Sequence, residues 1–433
     1  MRTVDDRTMT GPSGTAGWRV PFHVAQIDDE AVDAVVRVLR SGWLTTGQQC
    51  RDFEAAFASV LGPDVHAVAV NSATAALHLG LEALGVDAGS RVITTPYTFA
   101  ATAEVVRHLG AEPVFADVDP VTGNLTPQTV MAAYQRLSPT ERRQVRALVP
   151  VHFAGLPCDM TGLARLAGEH GWGLLDDAAH ALPASHRGQA IGTLGDVTAF
   201  SFYVTKPLCT GEGGMAVTRD PDLARRMRTM RLHGIDRDVF DRYHRADAWY
   251  YEVVAAGFKY NLTDVAAALG LVQLRRLRAD HAARRAIAAA YRDALGDVEG
   301  LRLPPEAHVA DEHAWHLFAL RVTDGPAVRS AFVRHLAATG VGASVHFIPL
   351  HLQPYYRDRY HLRPDDFPAA TGLYHEEVSL PIWPGMTTEH VRWVVEAVPA
   401  ALAAAREETA PSRPKPTRSG ERPRVPTPAR NAS

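Results

Sequence analysis

Residues 65–84, VHAVAVNSATAALHLGLEAL, contain the pattern that decides the fold of this chain. A short apolar run ends at Asn71-Ser72, and a helical pattern follows directly after it. Buried runs of the same kind, separated by helical stretches, recur along the chain in RVITTP (91–96), AEPVFADVD (111–119), VRALVPVHF (145–153) and GWGLLDDAAH (171–180). Strands that alternate with helices of about 10–15 residues indicate βαβ units. The sequence therefore predicts an α/β fold whose large domain has a mostly parallel central sheet flanked by helices.

The pattern changes after Asn261, where a long amphipathic helical region (262–295) begins. Strand-like HLFALRV (316–322), a helix near 327–340 and the apolar stretch VGASVHFIPL (341–350) come next, which is typical of a smaller α+β domain. The predicted organisation is a disordered leader (1–17), a large domain (18–265), a small C-terminal domain (266–405) and a disordered basic, proline-rich tail (406–433).

Composition excludes several classes of protein. A chain of 433 residues that is 46% hydrophobic and 21% charged is neither mostly disordered nor disulfide-stapled. The net charge of −3 divides into about +5 on residues 409–433 and −8 elsewhere, which provides no overall basic field for nucleic acid. Three cysteines without CxxC spacing favour a reducing compartment, and no apolar run approaches the ~20 residues of a membrane span. We therefore expect a cytoplasmic protein with no nucleic-acid or membrane partner, and the histidine spacing predicts no metal site.

Groups suited to one kind of chemistry follow the predicted strands, where α/β sheets bind ligands. Lys206 lies between apolar or small neighbours and a glycine-rich turn (211–214), surroundings that would lower its pKa and allow it to form an imine. Asp177 ends an apolar strand, and Ser72 to Thr74 open a helix whose free N–H groups could bind an anion, with Ser201 as a further hydroxyl. Phe99 follows another strand and could stack on a flat ring.

Each of these groups has an ordinary alternative. A lysine is usually a solvated surface residue, and aspartate, serine and threonine are common helix caps. A phenylalanine is most often part of the core. The order of anion cradle, aromatic, strand-end aspartate and lysine favours pyridoxal phosphate (PLP), whose protonated ring nitrogen needs a carboxylate partner.

The chain resembles the DegT/DnrJ/EryC1/StrS family of PLP-dependent sugar aminotransferases, which belong to the fold-type I aminotransferase superfamily. The resemblance covers nearly the whole chain between its two ends. It rests on SGWLTTG (41–47), NSATAALHLGLEALGV (71–86), PYTFAATAEVV (96–106), DDAAHALPASHRGQAIGTLGDVTAFSFYVTKPLCTGEGG (176–214), GFKYNLTDVAAALGLVQL (257–274) and PLHLQPYY (349–356).

The resemblance implies a role for each matching residue. Lys206 would bind the cofactor covalently, Asp177 would pair with its ring nitrogen, and Phe99 would cover the ring. His180 would lie near the cofactor's O3′. The residues it implies for the phosphate are Ala73, Thr74 and Ser201. Because Lys206 is lysine rather than the histidine of the family's sugar dehydratases, the resemblance implies an aminotransferase.

The family's usual state implies a homodimer with shared active sites. Asn261, with Lys259 as the second choice, would reach the phosphate of the neighbouring subunit's cofactor. Three departures from the family pattern accompany this expectation: Ala73 replaces the more usual glycine, Pro207 replaces an asparagine, and KYN (259–261) replaces NYR.

The activity implied is transfer of an amino group from L-glutamate or glutamine to a keto-sugar, most simply a nucleotide-linked keto-deoxysugar, in secondary-metabolite (antibiotic) or cell-surface sugar biosynthesis. A keto-cyclitol or an aminobenzoate precursor is an alternative acceptor, and a catalytically idle regulatory or scaffold relative is an alternative of another class. The candidate substrate residues, each with a structural alternative, are Thr45, Thr46, Arg231, His233, His346 and His351.

Overall fold

A computed structural model describes residues 17–236 and 250–410 of the chain, and its centre is a seven-stranded sheet. The strand order in this sheet is β1-β9-β8-β5-β4-β2-β3. Its strands are β1 (His66–Val70), β2 (Arg91–Thr94), β3 (Glu112–Phe115), β4 (Val145–Val149), β5 (Gly173–Asp177), β8 (Val197–Ser201) and β9 (Gly214–Thr218). Two short strands, β6 (Ser185–His186) and β7 (Gln189–Ala190), form a separate hairpin.

The pairing of the strands confirms the mostly parallel sheet predicted from the alternating pattern. β3, β2, β4, β5 and β8 are all parallel to one another. Only β9 runs antiparallel, between β8 and β1. The connection from β8 to β9 (202–213) contains no helix, and a parallel pair would need a longer crossover. Lys206 lies in this connection.

Helices cover both faces of the sheet, and their capping follows the sequence. The helices within residues 17–236 are α1 (Asp29–Ser41), α2 (Gln48–Leu61), α3 (Ala73–Ala83), α4 (Ala101–His108), α5 (Pro127–Arg136), α6 (Pro139–Gln144), α7 (Met160–His170) and α8 (Pro221–Met230). Ser72 caps α3 by accepting a hydrogen bond from the Ala75 N–H (3.1 Å), as predicted for this start of a helix. Apolar clusters fill the space on each side of the sheet.

A second, antiparallel sheet in the order β10-β11-β12 lies in the C-terminal part of the chain. Its strands are β10 (Leu301–Arg302), β11 (Phe318–Val322) and β12 (Glu377–Leu380), and the helices around it are α9 (Asp264–Leu295), α10 (Pro326–Ala338), α11 (Pro354–Tyr360), α12 (Pro368–Glu376) and α13 (Thr388–Thr409). The long helix α9 contributes Leu274 and Leu277 to the core of the large sheet and Tyr291 and Leu295 to the core of the small one. One helix therefore connects the two cores. The domain boundary predicted at 265/266 lies inside this helix, α9.

Three details differ from the sequence predictions. The apolar run FSFYV (200–204) has a strand-like pattern, but the strand stops at Ser201, because the chain turns and leaves Tyr203 exposed. VGASVHFIPL (341–350) makes isolated bridges rather than a strand. Helix α13 continues to Thr409, so residues 406–409 are helical and the tail predicted from 406 is wrong there, while the rest of the predicted leader and tail, apart from Gly17 and Ala410, lies outside the described residues.

Within residues 17–236 and 250–410, every helix is too short or too polar to cross a lipid bilayer.

Candidate active site

Lys206 occupies a turn directly after β8, at the carboxyl edge of the parallel strands. Its backbone N–H donates to the carbonyl of Tyr203 (2.8 Å), and its Nζ lies 3.4 Å from Nε2 of His316. Burial lowers the pKa of Lys206 to about 8, although the nearby charge of Asp177 acts in the opposite direction. A lysine with this pKa has a substantial neutral fraction near physiological pH, and the neutral amine is the nucleophilic and basic form.

Asp177 is the last residue of β5, the parallel neighbour of β8. Its carboxylate is only 5% exposed and accepts hydrogen bonds from the Thr102 hydroxyl (2.7 Å) and the Ala179 N–H (3.1 Å). Burial raises the pKa of Asp177, whereas these two hydrogen bonds and the charge of Lys206 lower it. A carboxylate held in this way is rigid and can pair with a cationic ring nitrogen.

Two buried histidines lie beside Lys206. The ring centroids of His180 and His316 are 4.4 Å apart, and His180 stacks on Phe347 at 5.8 Å. Burial, reinforced by the charge of Lys206, holds the pKa of both histidines well below the usual value. No group in the described parts of the chain bonds Nδ1 of either ring. Neutral, partly unsatisfied imidazoles at this depth are suited to hydrogen-bond a ligand.

The beginning of α3 forms an anion cradle against β9. Neither the Ala73 nor the Thr74 N–H has an acceptor among residues 17–236 and 250–410. Gly214 of β9 pairs with Ser201 and packs against the backbone of Ser72 and Ala73. The free N–H groups at this helix start and the Ser201 hydroxyl therefore lie on adjacent elements, as a phosphate requires.

Replacing Gly214 with alanine should damage this cradle. The added methyl group would lie 2.5 Å from the carbonyl carbon of Ser72 and 2.7 Å from the nitrogen of Ala73. We expect a loss of about 1–3 kcal/mol in the free energy of unfolding and weaker PLP binding, measured by urea unfolding and fluorescence titration. Gly168→Ala in α7 is the matched control, since its methyl group meets no atom within 4 Å. Equal stability and equal PLP affinity of the two variants would contradict the close packing described here.

Phe99 is not a core residue, because 65% of its side chain is exposed. It lies just before α4, and its ring centroid is 6.3 Å from that of Phe347. An exposed aromatic at this edge of the sheet is available to cover a flat ligand. The position therefore favours the stacking interpretation over the core alternative.

Three predicted substrate residues have other partners in the structure. Thr46 is buried, and its hydroxyl donates to the carbonyl of Leu262 (2.5 Å) while accepting from the amide of Asn261 (2.7 Å). Arg231 is buried in an ion pair with Glu54. His351 is fully buried, and its Nε2 lies 2.9 Å from the Thr371 hydroxyl. Each of these three side chains thus has a partner within the chain, and its contact with a substrate stays a prediction.

The remaining residues predicted to contact the substrate or the phosphate differ in their exposure and in their hydrogen-bond partners. Thr45 and His233 are exposed, and the His233 N–H donates to the carbonyl of Phe258. His346 is close enough to Lys206 for the lysine charge, together with the larger effect of burial, to lower its pKa to about 4. The Asn261 amide is engaged with Thr46 of its own chain, whereas Lys259 is exposed. Which of the two reaches a neighbouring subunit stays a prediction, and the exposed Lys259 side chain is the freer of the two.

Comparison with known proteins supplies the family. The model of the DegT/DnrJ/EryC1/StrS aminotransferase family matches residues 25–399. The chain belongs to the DegT/DnrJ/EryC1/StrS aminotransferase family. It is thus an enzyme of the PLP-dependent aminotransferase class, and its sheet is that of a fold-type I aminotransferase.

Relatives of this aminotransferase cover almost its whole described length. The spore coat polysaccharide biosynthesis protein SpsC of Bacillus subtilis (strain 168) is 44% identical over 382 residues, which span 88% of this chain and 96% of that protein. The aminotransferase TlmJ from Streptoalloteichus hindustanus shares 35% identity with a TM-score of 0.80, over 89% and 99% of the two chains. The PLP form of Spr1654 from Streptococcus pneumoniae shares 27% identity with a TM-score of 0.80, over 89% and 99%.

The sequence predictions for this aminotransferase omitted several side chains that surround Lys206. His316 was treated only as part of a strand-like stretch, although it contacts the lysine amine. Thr102 was part of a helical pattern, although its hydroxyl binds Asp177. Phe347 was part of an apolar run, although it stacks on His180. No local motif marks these residues, because each reaches the site from a different element of the fold.

Proposed function

We propose that this aminotransferase uses PLP to move an amino group from L-glutamate or glutamine to a keto-sugar, specifically a nucleotide-linked keto-deoxysugar. The observation that carries the proposal is the Lys206 amine, which has a pKa of about 8, interacts electrostatically with the carboxylate of Asp177 and lies 3.4 Å from the imidazole of His316. The similarity to SpsC, a protein of polysaccharide biosynthesis, supports a sugar as the acceptor.

The residues present fit the cofactor in chemical type. Lys206 would bind its aldehyde carbon, Asp177 would hold its ring nitrogen, and His180 would meet its O3′. Phe99 would cover the ring, since its exposed face is free to do so. The unpaired N–H groups of Ala73 and Thr74, with the Ser201 hydroxyl across from Gly214, supply the donors that a phosphate needs.

When bound, the cofactor supplies an electron sink that stabilises negative charge at the carbon being deprotonated. The chain's own groups then manage the proton. The Lys206 amine removes a proton from the α-carbon of the donor as a base and returns it to the other end of the reacting system as an acid. Its lowered pKa suits both roles, because an amine near neutrality can exist in either form at working pH.

Asp177 and the buried histidines keep the surroundings suited to this proton transfer. Asp177 would hold positive charge at the ring nitrogen of the bound cofactor, and Thr102 keeps its carboxylate oriented. His180 and His316 remain neutral because their pKa values are strongly lowered, so they do not take the proton that Lys206 transfers. Phe99, whose ring lies 6.3 Å from that of Phe347, would shield one face of a bound ring from water.

We extend the proposal to a cytoplasmic homodimer in which a residue of one subunit reaches the cofactor phosphate of the other. Apolar side chains around α1 support a subunit contact there, because Ile27, Val32, Leu39 and Leu44 are each about half exposed. Lys259 is the candidate for the shared contact. Three buried, unpaired cysteines suit a reducing compartment.

The experiment that tests the proposed function separates the two half-reactions. PLP-loaded protein would first be converted by L-glutamate or L-glutamine to the amino form, with loss of its visible absorbance. Excess amino donor is then removed, and nucleotide-linked keto-sugars, keto-cyclitols and an aminobenzoate precursor are offered in turn. The proposal expects the visible absorbance to return with a nucleotide-linked keto-sugar. Return with keto-cyclitols alone, or failure to take up PLP, would overturn it.

A further inference from the structure

A hydrogen-bonded chain of three side chains connects the core of the small sheet with the surroundings of Lys206. Glu377 and Ser379 lie on the same face of β12, two residues apart, and are 2% and 0% exposed. The Ser379 Oγ is 2.5 Å from Oε1 of Glu377 and 2.9 Å from Nδ1 of His346. A serine hydroxyl has a single proton, so it can donate to only one of these two neighbours at a time.

A second contact fixes where a proton on Glu377 must lie. The backbone N–H of His346 donates to Oε2 of Glu377 at 2.6 Å. An N–H has no acceptor capacity, so Oε2 accepts in both ionisation states of the carboxyl group. A carbonyl oxygen accepts an N–H better than a hydroxyl oxygen does, and a proton on Oε1 has the Ser379 hydroxyl as its acceptor, so we place a proton bound by Glu377 on Oε1.

The proton count along the chain then determines the tautomer of His346. When Glu377 is ionised, Ser379 donates to Oε1, so Nδ1 of His346 must be the donor to Ser379 and Nε2 is left as an acceptor. When Glu377 is protonated, Oε1–H donates to Ser379, and Ser379 donates to Nδ1. The remaining proton of the neutral imidazole is then on Nε2, which becomes a donor.

The outer end of this chain faces the candidate active site. The His346 ring stacks on Phe22, with centroids 5.8 Å apart, and is near enough to Lys206, His180 and His316 to interact with each of them electrostatically. In the described ranges, no protein group bonds its Nε2. Nε2 is therefore available to a ligand.

The ionisable groups around the inner end set when the chain changes state. Burial raises the pKa of Glu377 to about 8, while Ser379, the His346 N–H and the charge of Arg329 oppose the rise. Arg321 lies opposite Glu377 in the neighbouring strand, and the hydroxyl of Tyr97 donates to the His346 carbonyl. Because the pKa of His346 itself is lowered to about 4, this histidine stays neutral above about pH 6. Between about pH 6 and 10 its tautomer changes rather than its charge.

We propose that Glu377 is a positioning residue which, through Ser379, sets the tautomer of His346, so that protonated Glu377 makes Nε2 a hydrogen-bond donor to an oxygen of the keto-sugar acceptor. The acceptor's identity rests on the proposed function above. The tautomer relay itself rests only on the contacts between these three residues. It predicts weaker acceptor binding at alkaline pH, where Nε2 loses its proton.

Glu377→Gln is the sharpest test, because an amide mimics the protonated carboxyl group. Its carbonyl oxygen would accept the His346 N–H, and its NH2 group would donate to Ser379 at every pH. The tautomer is read from two-bond proton–nitrogen correlations of PLP-loaded protein labelled with 15N-histidine, with the His346 signals identified by their absence in His346→Gln. We expect wild type to change from protonated Nε2 at pH 6.5 to protonated Nδ1 at pH 9.5. Glu377→Gln should keep protonated Nε2 at both.

Two further variants keep the test decisive. Ser379→Ala removes the middle of the relay and should abolish the pH dependence of the tautomer. Glu376→Gln is the matched control, since this neighbouring carboxylate pairs with Arg321 instead and should leave the wild-type behaviour intact. A wild-type tautomer that does not change with pH, or a Glu377→Gln protein that switches like wild type, would overturn the relay.

Kinetics provide the second measurement. We measure the KM for the acceptor at pH 7 and at pH 9.5 in both proteins. The rise in wild type should exceed the rise in Glu377→Gln by about 3- to 10-fold, which is the effect of one neutral hydrogen bond. A KM ratio that stays constant between the two proteins overturns the contact with the acceptor. If no keto-sugar is aminated but the tautomer still switches, the proposed function fails and the relay stands.

Discussion

Lys206→Ala is expected to lose more than about 10³-fold in turnover, because a single side chain supplies both the covalent attachment and the proton transfer. The amine lies 3.4 Å from His316 and is influenced by Asp177, and among residues 17–236 and 250–410 no second lysine lies beside it. The chain has only three lysines, Lys206, Lys259 and Lys415. Lys415→Ala is therefore a matched control that should retain full activity.

Borohydride reduction followed by peptide mass analysis checks the attachment separately from turnover. Reduction of PLP-loaded wild type should fix the cofactor to the peptide that contains residue 206, and Lys206→Ala should take up no label there. Because the pKa of Lys206 is lowered to about 8, the rate of cofactor capture should rise about tenfold per pH unit up to that value and then level off. Undiminished turnover of the alanine variant would refute the assignment of Lys206.

Local patterns predicted the elements that carry the site. The apolar run before Asn71, the cap at Ser72 and the glycine-rich turn after Lys206 each depend on neighbouring residues, and the structure has a strand, a helix start and a turn at these positions. The alternation of strands and helices fixed the parallel sheet, and therefore the edge at which Asp177 and Lys206 meet.

The partners of polar side chains were not predictable in the same way. Arg231 pairs with Glu54, which is 177 positions away, and Thr46 binds Leu262 and Asn261 more than 200 positions away. A buried polar group needs a partner, but its own sequence neighbourhood does not say which one it finds. The structural and the substrate interpretations of such residues therefore look alike until the fold brings distant segments together.

His316 is a residue beside Lys206 whose position could not be predicted from the sequence around it. It comes from a segment 110 positions after Lys206, just before β11, and nothing in HAWHLF separates it from the other histidines of the chain. Its relevance arises only because the small antiparallel sheet packs close to the end of β8.

Asp177→Asn is expected to reduce kcat about 10²- to 10³-fold, the loss typical when one preorganised electrostatic partner of the reacting group is removed. The amide keeps the size of the side chain and can still accept from Thr102, but it carries no charge to hold a proton on the cofactor's ring nitrogen. Stability should change much less than activity. The absorbance spectrum of the PLP-loaded variant and its kcat with an excess of both substrates provide the measurement.

The adjacent residue is the matched control, because Asp176 is a buried carboxyl of the same strand with a different environment. It points to the other face of β5, is fully buried and bonds the Thr198 hydroxyl at 3.1 Å. Burial raises the pKa of Asp176 to about 8, so the folded protein keeps this group neutral at pH 7 and an amide is a close substitute. Asp176→Asn should therefore retain most of the activity.

The same raised pKa predicts that wild type loses stability relative to Asp176→Asn as the pH rises. In the unfolded chain Asp176 ionises near its ordinary pKa of 3.8, so the native state holds one more proton between that value and about 8. Across this window wild type loses stability from this group as the pH rises, by roughly 1 kcal/mol per pH unit, and the asparagine variant does not. Urea unfolding should show the stability of Asp176→Asn relative to wild type rising from pH 5 to pH 9, because wild type loses stability across this interval and the variant does not. If the stability difference between Asp176→Asn and wild type is the same at both pH values, Asp176 is ionised in the native state. The end of β5 would then carry two charged carboxylates, Asp176 and Asp177.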